Sequence, residues 1–117
     1  MSDLDAALDR LMAHQGVQHV LVLGRDGLLI QHAGPAGLDA ETVSAMVPGL
    51  ASAAAGLGSA AGMGAGSLIA ARMEQGVAVV SVLSAEILLA VLLGPGVGFA
   101  PLLRELTERH AELAALV

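Results

Sequence analysis

Asp39-Ala40-Glu41-Thr42-Val43-Ser44-Ala45-Met46-Val47-Pro48-Gly49-Leu50-Ala51-Ser52-Ala53-Ala54-Ala55-Gly56-Leu57-Gly58-Ser59-Ala60-Ala61-Gly62-Met63-Gly64-Ala65-Gly66 is the longest helical pattern in the chain. Asp39 is a good N-cap, and Glu41 suits the positive end of a helix dipole. Val43, Met46, Val47, Leu50, Ala53, Ala54, Leu57 and Ala61 recur at helical spacing. The second half is almost entirely Ala, Gly and Ser, so another backbone can approach it closely. Pro48 interrupts the pattern, and a bend is expected there because proline removes one helical hydrogen bond. No charged residue occurs from Thr42 to Ala71.

The elements on either side follow from periodicity and turn chemistry. Ser2 to His14 reads as a first helix, capped by Ser2 or Asp3, with Leu4, Leu8, Leu11 and Met12 on one face. Val17 to Gly24 reads as a strand, Arg25-Asp26-Gly27 as a turn and Leu28 to His32 as the returning strand. Beyond the central helix come strands at Ser67–Met73, Val77–Leu83 and Ile87–Leu93, the last two apolar enough to be covered on both faces. A last helix is expected from about Gly98 to Ala115, with Pro101 in its first turn. The fold class is α/β: a five-stranded antiparallel sheet sandwiched by three helices, in the order α-β-β-α-β-β-β-α. Residues 1–117 are expected to form one domain.

Composition excludes several functions. The chain has one Phe and no Trp or Tyr, so little is available to stack a nucleobase. Its net charge of −6 disfavours nucleic acid and anionic membranes. Cysteine is absent, which removes thiolate catalysis and Cys-ligated zinc. The acidic start, Ser2-Asp3-Leu4-Asp5, is unlike a signal peptide, so a cytoplasmic location is expected. Glycines break both long apolar stretches, and no membrane insertion is expected.

Candidate chemistry is sparse. Gly56-Leu57-Gly58-Ser59-Ala60-Ala61 fits a loose dinucleotide pattern, but it lies inside helical sequence rather than after a strand. His14, His19, His32 and His110 are scattered; His19 and His32 face each other across the first hairpin, giving two metal ligands at most. Ser67 and Ser81 have no evident base nearby, and Glu86 stands alone at a turn. No catalytic residue, cofactor site or metal site is expected. Arg72 has two readings, a charge offered to a partner's phosphate chemistry or a guard on a sheet edge.

Self-association is better supported. An uncharged, apolar third strand invites pairing if it lies on a sheet edge. Pairing with its own copy about a two-fold axis would set two central helices side by side. The other reading is a monomer that covers this strand internally.

In order along the chain, Leu8-Leu11, Gly16-Val17, the strand Val20-Leu21-Val22-Leu23-Gly24 and the turn Arg25-Asp26-Gly27-Leu28 resemble the Roadblock dynein light-chain family, whose signature is an Asp-Gly-Leu after the first strand. The long central helix, the meander after Gly66 and the Leu-rich last helix extend the resemblance over the whole chain. The resemblance implies non-enzymatic homodimers that regulate small Ras-like GTPases or act as scaffolds. One bacterial branch acts on a gliding-motility GTPase, and a Lys-free, Ala-rich composition fits a prokaryotic source. Carried onto this sequence, the dimer interface is expected at Val47, Leu50, Ala51, Ala54, Ala55, Gly58, Ser67, Leu68, Ile69, Ala70 and Ala71. GTPase docking is expected at Thr42, Met46, Gly49, Ala53 and Arg72. Pro48 and the small residues from Ala51 to Gly66 depart from the family's pattern and leave few large side chains to anchor a partner.

Overall fold

The computed structural model describes residues 2–117. Its elements are α1 (Asp3–Met12), β1 (Val17–Gly24), β2 (Leu29–Ala33), α2 (Ala40–Ala60), β3 (Leu68–Met73), β4 (Gly76–Val82), β5 (Ile87–Leu93), α3 (Ala100–Glu108) and α4 (His110–Ala114). The strands form one antiparallel sheet in the order β2-β1-β5-β4-β3. The expected five-stranded sheet is therefore present, with β2 and β3 at its edges.

Alternation along the strands divides the core into two layers. Val20, Val22, Val79, Leu89 and Val91 point to one face, where Leu8 and Leu11 of α1, Leu102 and Leu106 of α3 and Leu113 of α4 cover them. Leu21, Leu23, Val80, Leu88 and Ala90 point to the other, where Val47 and Ala51 of α2 cover them. β4 and β5 are buried on both faces, which explains their continuous apolar runs.

Local chemistry fixes where the elements start. Ser2 and Asp5 form a reciprocal capping box on α1. Asp5 also accepts a hydrogen bond from Gln31, tying α1 to β2. Asp39 caps α2 by accepting from the Thr42 N–H (3.1 Å) and hydroxyl (2.7 Å).

Two expectations about helix length are corrected. The central helix stops at Ala60 rather than running toward Gly66. Gly62 adopts φ +71°, its N–H bonds Ser59 O, and the Met63 N–H bonds Gly58 O, a Schellman cap. The last helix breaks at Arg109 (φ −103°, ψ 13°) into α3 and α4. There His110 turns to the sheet, where its Nε2 donates to Val82 O at 2.7 Å. Pro48 lies within α2, which continues past it without a break.

Between β1 and β2 the turn rests on α2. Gly27 sits at φ +88°, and a Cβ there would lie 3.2 Å from Ala45 Cα. Ser44, fully buried, donates its hydroxyl to Gly27 O at 2.9 Å. Gly27→Ala is expected to cost about 1–2 kcal/mol through the left-handed backbone and the tight approach together. Chemical denaturation would read this loss, and an unchanged midpoint would refute it.

A charged cluster pins α1 to α3. Glu105 accepts from His14 Nε2 (2.9 Å) and Arg109 (3.2 Å), with Arg10 at 3.5 Å. Burial alone would raise the Glu105 pKa; hydrogen bonds from His14 and Arg109, and the charges of His14 and Arg10, outweigh it and hold the carboxyl below its ordinary 4.5. A carboxylate with a depressed folded-state pKa stabilises the protein fully above the ordinary glutamate range. That contribution is lost as pH falls through 4.5 to the lowered value. Glu105→Gln is expected to cost about 1–2 kcal/mol at neutral pH and to flatten the acid limb of the stability curve. An unchanged acid limb would refute the assignment.

Candidate functional site: the α2–β3 face

β3 offers an open backbone edge whose free groups can be named. The Val82 N–H donates to Ser67 O at 2.9 Å, so Ser67 and Val82 form a hydrogen-bonded pair. The β3–β4 register pairs Leu68 with Ser81 and Met73 with Gly76. In an antiparallel ladder hydrogen-bonded pairs alternate with non-bonded ones. Ile69, Ala71 and Met73 therefore bond inward to β4, and Leu68, Ala70 and Arg72 direct their N–H and C=O groups outward. The strand begins uncharged and ends near the exposed Arg72.

Beside this edge, α2 shows solvent a largely apolar surface, broken by Glu41 and Thr42 in its first turn and by Ser52 and Ser59 beyond. It is the one helix among the described residues long and apolar enough to cross a bilayer by length and composition. Little of it is buried, so most of this surface lacks cover within the chain. Thr42, Met46, Gly49 and Ala53 are exposed and follow one stripe at helical spacing. Met46 is 71% exposed and Leu57 69%.

The expected interface residues divide. Val47 and Ala51 are buried against the sheet, so they belong to the core and not to an outer interface. Leu50 is half-buried and packs on that same layer. Ala54 and Gly58 face their own chain. The segment after the cap folds back along α2, so a Cβ on Gly66 would lie 3.0 Å from Ala54 Cβ, and a Cβ on Gly58 would overlap Gly64 O. The small residues thus serve a close approach, but its partner is the return segment 64–66. Ala55, Ser67 and Ala70 are exposed, while Leu68, Ile69 and Ala71 are half-buried.

Arg72 does not join the docking stripe on α2. Leu68 packs into the layer of α1 and α3, and Ile69 into the layer of α2. Alternation places Arg72 with Leu68, and its guanidinium stands over Phe99, 5.9 Å from the ring centroid. Met63, just past the end of α2 (83% exposed), and Met73, the last residue of β3 (55%), were not among the expected contacts. Their signal was available: a large, adaptable side chain among glycines, or at the end of an edge strand.

The remaining candidates take definite places. Gly56–Ala60 lie inside α2 and Ala61 caps it, so no strand precedes the glycine pattern. His19 Nδ1 and His32 Nε2 approach to 3.0 Å, and their rings stack. Burial first, and the neighbouring His32 second, push the His19 pKa down. No group of three or more potential metal ligands occurs among the described residues. Ser81 does have a base near it, contrary to expectation: His110 lines the same ≈ 290 Å³ cleft as Ser67 and Ser81. However, the imidazole Nε2 is held by Val82 O, and no carboxylate lines the cleft among the described residues.

Solved structures share this architecture. MglB from Myxococcus xanthus matches at 17% identity and TM-score 0.86, over 98% of this chain and 94% of that one. The gliding protein MglB from Thermus thermophilus matches at 17% identity and TM-score 0.85, over 97% of this chain and 87% of that one. A Roadblock/LC7 domain from Streptomyces avermitilis matches at 23% identity and TM-score 0.84, over 97% of each chain. None of the curated proteins matches by sequence. The Roadblock/LC7 domain family matches residues 3–93, and the chain belongs to that family.

Proposed function

We propose that this protein is a non-enzymatic, homodimeric regulator of a small Ras-like GTPase, acting in the cytoplasm, with residues 1–117 working as one Roadblock-like unit. The observation that carries the proposal is the uncovered surface formed by the outer side of α2 and the open edge of β3, free of charge from Thr42 to Ala71. A free edge at Leu68, Ala70 and Arg72 is satisfied by a second β3 running antiparallel, which extends the sheet across two subunits. The two α2 helices then lie side by side. Thr42, Met46, Gly49 and Ala53, all exposed, present a composite surface for the GTPase. A relative described as MglB with a tetrameric arrangement supports an assembling role for this fold.

The test has two parts. Sedimentation equilibrium is expected to give a dimer at micromolar concentration. Immobilised protein is expected to retain a small GTPase from lysate, more strongly with either a GTP analogue or GDP. Retention indifferent to nucleotide, with no change in hydrolysis or exchange rate, would favour the second reading, a scaffold subunit. The few large side chains on the outer side of α2 support that alternative, because they limit the anchors available to a partner.

A further inference from the structure

We propose that the cleft between the start of β3 and the α3–α4 junction is a receptor for Arg72 of a second copy of the chain. The inference rests on the self-pairing of β3 proposed above. It follows from which backbone groups are free and from the chemistry of the cleft.

With only Leu68, Ala70 and Arg72 free to bond outward, a symmetric antiparallel pair must match these residues to one another. A two-fold axis at Ala70 uses all of them: Ala70 meets Ala70 of the second copy, and Leu68 meets Arg72. Axes at Ile69 or Ala71 leave one end of the edge unpaired. Paired residues project to the same sheet face, so each Arg72 arrives beside the Leu68 of the other copy, on the face covered by α3 and α4. There the cleft opens, ≈ 290 Å³, lined by Ser67, Leu68, Ser81, Leu106, Thr107 and His110.

Its polar groups suit a guanidinium. Ser81, 2% exposed, and Ser67 contribute hydroxyl acceptors. The Thr107 hydroxyl spends its proton on Leu103 O (2.9 Å) and keeps its lone pairs. His110 donates from Nε2 to Val82 O, so in the neutral ring Nδ1 is an acceptor. No cation lines the cleft among the described residues. Arg72 supplies five donors and no acceptor, and it pairs with no carboxylate among the described residues. Leaving the Phe99 ring costs it one exposed cation–π contact.

Because the chain has no cysteine, single-cysteine variants report the register directly. Oxidation of Ala70→Cys is expected to give a covalent dimer, since directly paired Cα atoms lie within disulfide range. Ile69→Cys and Ala71→Cys are expected to stay uncrosslinked. In the cysteine-free dimer, Arg72→Ala and Ser81→Ala are each expected to raise the dimer dissociation constant by about tenfold or more, through loss of hydrogen bonds to a charged group. Phe99→Leu, which removes the contact that Arg72 gives up on docking, is expected to lower it slightly, by a few-fold at most, and a rise would count against the docking. Phenylglyoxal should modify Arg72 slowly in the dimer and rapidly in an Ala70→Pro monomer, followed by peptide mass spectrometry. A wild-type protein that stays monomeric would overturn the homodimer itself. A dimer crosslinked through position 69 or 71 would leave the homodimer standing and overturn this register. Crosslinking at 70 with Arg72 equally reactive in dimer and monomer would overturn the docking of Arg72.

Discussion

Ala70→Pro is expected to leave the fold intact and to abolish the proposed β3–β3 dimer, giving a monomer at micromolar concentration. Proline removes one backbone N–H and fixes φ near an extended value. At Ala70 that N–H points away from β4, because the register and the Ser67–Val82 bond put the inward groups at Ile69, Ala71 and Met73. Proline is tolerated on an edge strand at such a position. What it takes away, in the proposed pairing, is the two symmetric hydrogen bonds at the centre of the β3–β3 ladder, and its ring obstructs the approach of a second strand. Ala71→Pro is the internal control. Its N–H bonds β4, so the same change there breaks a ladder bond and is expected to cost about 1–3 kcal/mol of folding stability. Sedimentation equilibrium combined with thermal melting separates the two. If Ala70→Pro melts like wild type and still dimerises, subunits do not join through β3.

Gly58→Val is expected to cost about 2–3 kcal/mol and to weaken self-association with it. Two effects compete at this position. Replacing a helix-interior glycine gains up to about 1 kcal/mol in propensity, less for a β-branched residue. Against that, any Cβ on Gly58 overlaps the carbonyl oxygen of Gly64, which is backbone and cannot rotate aside. Overpacking of this kind typically costs about 1–3 kcal/mol, so the clash wins. Relief requires the return segment 64–66 to lift from α2, and that segment delivers the chain to Leu68 at the start of β3. Gly56→Val is the comparison, because a Cβ on Gly56 meets nothing within 4 Å. Denaturant unfolding of both variants is the measurement. Equal stabilities would show that the small residues of α2 are not selected by the return segment.

These two sites show what a single sequence can and cannot convey. The boundaries of β1 and β5 are written in composition and turns: Gly16 and Asp26-Gly27 bracket one, Ser84-Ala85-Glu86 and Gly94-Pro95 the other. The Asp39 cap was equally legible, because a side-chain oxygen before an apolar run has few other uses. The phase of α2 was not. Val47 and Ala51 face the sheet while Met46 and Leu57 face solvent, yet all four are apolar, and the Ala/Gly/Ser field between them carries no contrast. Smallness at Gly58 announced a close neighbour without saying that it was Gly64 of the same chain. The break at Arg109 hid because it shifts the apolar stripe too little to disturb its spacing, leaving Leu106 and Leu113 both buried. Ser81 and His110 come together only through the sheet, far apart in sequence, where local pattern has no reach.

The absence of charge from Thr42 to Ala71 also has a kinetic meaning. Without a field to draw a partner in, encounters at this face proceed at the unsteered rate, about 10⁵–10⁶ M⁻¹ s⁻¹. The long-range interaction left between two copies is the mutual repulsion of their net charge of −6 each, so self-association should quicken modestly as salt is raised. Discrimination between partners passes to how long each complex lasts, which depends on the fit of a second surface against Met46, Leu57 and the backbone of Ala70.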